Sequence, residues 1–175
     1  MKKLTSKEVI NWLTDKYHLP EWELFTEVVN DMVGGTRHSR RADAIALSLW
    51  RQPEQKKLQF DNLVPKHIRT TVIGFEVKVN RADWLQELKQ SEKAETMKQY
   101  CNEWILVAPE DVVKPFEIPK GWGWMIPNPQ KYHYFEIRPE YNPNPKLDIE
   151  FVVNLVKSSA KKSQQINDIW KILMR

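Results

Sequence analysis

The segment IGFEVKVNRADW, Ile73 to Trp84, sets Glu76 and Lys78 two residues apart within an alternating apolar run. Side chains alternate across a strand, so this acid and base share one face. Gly74 and Asn80 flank them there, while Ile73, Phe75, Val77 and Val79 occupy the other face. A glycine at such a place leaves room for another group to approach the backbone. Asp43 begins a second strand-like segment, RRADAIALSLW. If the two strands are neighbours, Asp43 and Glu76 converge. Carboxylates about 4 Å apart repel by roughly 4 kcal/mol at an effective dielectric of 20. A folded chain tolerates that when a cation lies between them or one carboxyl is protonated.

Lys78 supplies one positive charge, and a divalent cation would supply two more. Mg²⁺ is held by one or two carboxylates together with waters and substrate phosphate. So held, it polarises a phosphate and lowers the pKa of a bound water. A lysine beside it orients that water or stabilises developing charge. The competing reading is a solvent-facing ion pair on a strand, worth roughly 0–1 kcal/mol.

The elements that must position these residues follow from patterning. LTSKEVINWLTDKYHLP reads as a helix opened by a Thr5/Glu8 capping box. EWELFTEVVND fits either period. A helix would stack Glu23, Glu27 and Asp31 at like-charge i, i+4 spacing, so a strand is expected. NDMVGGTRHS then forms a loop, and RRADAIALSLW pairs back as a hairpin. RQPEQKKLQFDNLVPKHIR, polar with two prolines, reads as a surface excursion. After TTVIGFEVKV, Asn80 caps a helical region that Ser91 divides in two. NEWILVAP is a short buried strand, parallel to the third because a helix intervenes. EIPKGWGWMIP and KYHYFEIRP give two more strands, and LDIEFVVNLV and QQINDIWKILMR two terminal helices. The expected architecture is α/β: a mixed central sheet flanked by helices.

The 175 residues suggest a single domain, with a core over about 21–126 and a helical extension over about 147–175. No apolar run approaches the roughly 20 residues of a membrane helix. The first residues lack a signal peptide's apolar region. Cys101 is the only cysteine, so a disulfide within the chain and a Cys-rich zinc site are excluded; a reducing, cytoplasmic compartment is expected. Cys101, Trp122 and Trp124 read as packing residues. No phosphate-binding loop or dinucleotide fingerprint occurs, so no organic cofactor is expected. The net charge of +4 lies in the segment from Lys157 onward; the remaining 22 bases and 22 acids cancel. Arg37, Arg40 and Arg41 make the densest basic cluster in the body, suited to a polyanion or simply to solvent. His38 lies in that cluster, within reach of a phosphate. The terminal helix suits docking on the body, DNA binding or dimerisation.

Asp-(x)n-Glu-x-Lys resembles the signature of the PD-(D/E)XK nucleases, whose fold is restriction-endonuclease-like. RRADAIAL, GFEVKVNRADWLQELK, EKAETMKQYCNEWILVAP and EIPKGWGW, in that order, are similar to its MmcB-like branch of DNA-repair and phage nucleases. The similarity runs from about Glu21 to Met125. It implies Mg²⁺- or Mn²⁺-dependent hydrolysis of DNA. Asp43 and Glu76 would bind metal with the Val77 carbonyl, and Lys78 would be the catalytic lysine. Glu27 would be an auxiliary carboxylate. Arg41, Arg81, Asp83, Lys89 and Lys93 match polar positions around the site. Arg37, Arg40, Arg41, Arg81, Lys89 and Lys93 would grip DNA; Asp83 would hold Arg81 or the helix end. Ala42 stands where the signature has proline. The rival reading is a DNA-binding or scaffold protein on the same fold that does not cut.

Overall fold

Thr5 and Glu8 form the expected capping box: each side chain accepts the other's backbone N–H, and helix α1, Ser6–Lys16, begins there. The computed structural model describes residues 3–30, 41–49, 70–90, 92–128 and 134–173, without the side chains of 93, 134 and 165–173. EWELFTEVVND forms strand β1, Trp22–Val29, as its β-formers and its column of acids require. Strand β2, Arg41–Ser48, pairs back on β1 antiparallel, and β3, Val72–Val77, pairs antiparallel with β2. The expected loop NDMVGGTRHS beyond Asn30 and the expected excursion RQPEQKKLQFDNLVPKHIR lie outside the described residues.

Asn80 caps helix α2, Arg81–Leu88, accepting the Ala82 N–H at 2.9 Å. Helix α3, Glu92–Lys98, follows, the two falling on either side of the predicted break at position 91. Strand β4, Glu103–Val107, is parallel to β3, as a helical crossover demands. Buried Asn102 fixes that register: its N–H donates to the Val72 carbonyl and its Oδ1 accepts the Val72 N–H, both at 2.8 Å. Strands β5, Gly123–Ile126, and β6, Tyr134–Ile137, complete a six-stranded mixed sheet whose spatial order is the sequence order. Helix α4, Ile149–Leu173, closes the chain. The architecture is therefore α/β, a mixed sheet flanked by helices.

One expectation needs correction. The terminal segment is one 25-residue helix, not two. Between LDIEFVVNLV and QQINDIWKILMR stand Lys, Ser and Ala residues and no glycine or proline, so nothing interrupts it. The close approach expected at Gly74 is made by the protein's own side chains. A Cβ there would collide with the Trp104 ring at Cε3 and lie 2.8 Å from Cys101 Sγ. The missing side chain makes room for an indole.

Two cores sandwich the sheet. On one face α1 contributes Val9, Leu13 and Tyr17 against Leu24, Ala44, Ala46, Phe75 and Val77. On the other, Trp84 of α2, Met97 of α3 and Phe151 of α4 pack with Trp104, Trp122 and Trp124. Cys101 is buried there, and burial pushes its thiol up, away from reactivity. Every residue of β3 is buried. Among the described residues, no helix is long and apolar enough to cross a membrane.

Candidate active site

The β2–β3 ladder runs to Ala44↔Phe75, and continuing its register would set Asp43 opposite Glu76. There the Asp43 side chain intervenes: Oδ2 accepts the Val77 N–H at 2.8 Å. A carboxylate thus takes the place of a backbone acceptor, on the residue between Glu76 and Lys78. The N–H and C=O of one strand residue point to the same neighbour, so the Val77 carbonyl faces the Asp43 side as well.

The strands change face at this point. Leu24 packs beneath α1 with Ala44 and Ala46, but Val28 and Ala42 lie in the opposite core, where simple alternation would not put them. The switch falls at Glu27 and Asp43, which the flanking pairs Thr26↔Ala44 and Val28↔Ala42 set opposite each other. Glu27 has φ +54°, a left-handed conformation that a non-glycine residue seldom adopts. Strain of this kind collects at functional sites.

Lys78 Nζ lies 2.5 Å from Glu76 Oε1 and 3.1 Å from Glu87 Oε2. The Lys78 and Glu76 side chains are only 15% and 10% exposed, so the pair is not the solvent-facing salt bridge of the competing reading. Two carboxylates, Glu76 and Glu87, hold the ammonium, and the charge of a third, Asp43, also acts on it. Burial, then the Asp43 charge, pushes Glu76 up to about 7 despite Lys78. Burial also raises Asp43, against the Val77 N–H and the charges of Lys78 and Arg41. Burial pulls Lys78 down, but its contact with Glu76, followed by Glu87 and Asp43, outweighs that and leaves it above the ordinary lysine value. Lys78 is an ammonium at neutral pH.

Beside this cluster opens a cleft of about 580 Å³, lined by Lys7, Thr26, Glu27, Asp43, Lys78 and Asp83 among others. Glu27 is exposed there, 3.7 Å from Arg41. Arg41 is exposed at the start of β2. Lys89 is exposed at the far end of α2 and does not line the cleft. Arg37, Arg40 and His38 lie outside the described residues, as does the side chain of Lys93. The expected hold of Asp83 on Arg81 is replaced by another. Arg81 forks onto Glu117, Nη1 and Nη2 each 2.5 Å from a carboxylate oxygen, and Nη1 also donates to the Val112 carbonyl at 2.9 Å. Trp84 Nε1 donates to the same carboxylate at 3.1 Å, so the clasp pins α2. Arg81 is thereby oriented by the protein's own acceptors.

Glu117 gives a prediction. Its hydrogen bond from Arg81 holds its pKa at about 2, below the ordinary glutamate value of 4.5. The stability it adds is therefore present above pH 4.5 and lost as pH falls through about 2. Thermal melting should place Glu117→Gln below the wild type at pH 6, and the gap should close toward pH 2.

Glu87 was not singled out in the sequence. The available signal was helical: Glu87 is three residues after the buried Trp84, on the same side of α2.

Among the described residues no three His, Cys, Asp or Glu side chains form a ready metal cage. Asp43, Glu76 and the Val77 carbonyl are hard oxygen donors, two of them carboxylates made uneasy by burial. That set fits Mg²⁺ or Mn²⁺, which need few protein ligands and keep waters.

No family model matches the chain, and no curated protein matches it. A solved structure of a protein of unknown function from Silicibacter pomeroyi is similar in fold. It has a TM-score of 0.52 and 13% sequence identity, with 85% of this chain and 80% of that one covered.

Proposed function

We propose that the chain is a divalent-metal-dependent deoxyribonuclease of the restriction-endonuclease-like type, hydrolysing phosphodiester bonds at Asp43, Glu76 and Lys78. The observation that carries this reading is the tether of Asp43 to the Val77 N–H, which draws two buried carboxylates and a lysine together beside an open cleft. A purely structural strand pair has no need of three acids around one base.

A cation held by Asp43, Glu76 and the Val77 carbonyl would polarise the scissile phosphate and acidify a bound water. Lys78, an ammonium, does not take the proton from that water. It orients it and offsets the negative charge that gathers on the phosphate. Glu27, exposed across the cleft, is the auxiliary carboxylate nearest to solvent. Arg41 is the one proposed DNA contact whose described position adjoins Glu27 and Asp43.

Incubation with single- and double-stranded DNA and Mg²⁺ or Mn²⁺ tests the reading. Cleavage that chelation stops supports it. Salt-sensitive binding without cleavage favours the non-cutting rival.

The raised pKa of Glu76 gives a second check. The folded chain binds that proton more tightly than the unfolded chain does, from 4.5 up to about 7. Its stabilising effect is thus full below pH 4.5 and lost as pH rises through about 7. Without metal, wild-type melting should fall relative to Glu76→Gln across that window. Because a metal needs the ionised carboxylate, Mg²⁺ should raise the wild-type melting temperature more at pH 8 than at pH 6. Equal Mg²⁺ shifts at both would count against Glu76 as a ligand.

A further inference from the structure

We infer that Glu87 is a reserve partner for Lys78: when a divalent cation takes Glu76, the Lys78 ammonium passes to Glu87. This rests on the reading of Asp43 and Glu76 as cation ligands.

The ammonium stands between two acids, 2.5 Å from Glu76 and 3.1 Å from Glu87. Those side chains are 10% and 21% exposed, and Lys78 is 15% exposed. Glu76 could offer Oε2 to a cation and keep Oε1 toward Lys78, but its single negative charge would then be shared between the two. A divalent cation also repels the ammonium. Were Glu76 the only partner, binding would strand a buried charge, which is strongly unfavourable. Glu87 removes that difficulty. Its carboxylate is within reach, so a rotation near the end of the lysine side chain completes the transfer and no backbone need move.

Glu87 is also held ready. Asn80 caps the start of α2, and Arg81 and Trp84 fasten the helix to Glu117. Glu87 therefore stays in place while the lysine moves. After the transfer Lys78 still lines the cleft, free of the metal's ligand and available to the water or phosphate. Glu87 is a positioning residue, acting through Lys78.

The test uses the full chain and Mn²⁺ alone, with binding followed by titration calorimetry. The variants are Glu87→Gln, Lys78→Met and the two combined, each checked for folding by melting. Glu87→Gln should weaken Mn²⁺ binding by about tenfold, the lower end of the effect of removing an outer partner. In the Lys78→Met background the same substitution should change little, since the partner it serves is gone. Glu87→Asp, which keeps the charge and shortens the reach, should resemble Glu87→Gln. Equal weakening with and without Lys78 would reduce Glu87 to a distant charge and overturn the inference. So would wild-type affinity in Glu87→Gln or Glu87→Asp. Failure of the wild type to bind Mn²⁺ would remove the metal reading itself, and this inference with it. Binding that ignores Glu87 removes the inference alone.

Discussion

Asp43→Asn is expected to leave the chain folded and to abolish the proposed metal-dependent cleavage. The asparagine oxygen can still accept the Val77 N–H, so the tie between β2 and β3 is kept. What disappears is the negative charge that a cation requires. The same change relaxes Glu76, because the Asp43 charge is the second cause, after burial, of its rise to about 7. Lys78→Ala removes the ammonium and should cost roughly 10²–10³-fold in rate, the scale for one group that stabilises developing charge. The measurement is cleavage of labelled oligonucleotides with Mg²⁺, beside melting curves that show both variants folded. Undiminished cleavage by folded Asp43→Asn would sink the assignment and point to a co-purifying nuclease.

Gly74→Ala produces the largest expected loss of stability from a single methyl group. The new Cβ meets the Trp104 ring and Cys101 Sγ. Neither neighbour can retreat easily. Trp104 and Cys101 are each 1% exposed, and Trp104 stands edge-on to Trp122 with ring centres 5.9 Å apart. Overpacking of this kind costs about 1–3 kcal/mol. For a domain of this size each kcal/mol moves the melting temperature by about 2–4 °C, so a drop of roughly 2–12 °C is expected. Calorimetric melting checks it. An unchanged melting temperature would mean that the indole has a second place to go. Glu76 is two residues along the same strand, so metal affinity in the folded variant also reports how far the disturbance travels.

Much of what positions the site was local and therefore readable. The Thr5/Glu8 box, the Asn80 cap and the alternation of β3 each depend on residues a few positions apart. The β1–β2 hairpin and the parallel crossover to β4 followed from those elements. What escaped depends on contacts between distant segments. Nothing near Arg81 announces Glu117, so the clasp that replaces the expected hold of Asp83 was not readable. Gly74 correctly signalled a close approach, but a glycine does not say whether a ligand or an indole will arrive. Glu87 looked like one more polar residue on a solvated helix until α2 docked over the sheet. The left-handed Glu27 has no signal at all, because glutamate is an uncommon choice for that conformation. The nearness of Asp43 to Glu76 and Lys78 was legible because β2 and β3 pair antiparallel and Lys78 directly follows β3; Glu87 beside Lys78 was not.

Helix α4 has a consequence beyond packing. Among the described residues β1 is an edge strand of the sheet, and α4 lies against it: the Ser158 hydroxyl donates to the Thr26 carbonyl at 2.8 Å, and Lys162 reaches Glu23. An open edge is a template on which a strand of another molecule can add. Here one of its acceptors is occupied by the chain's own C-terminal helix, with a lysine alongside. The helix therefore covers part of the edge that carries Glu27, leaving less of it open to a strand from another molecule.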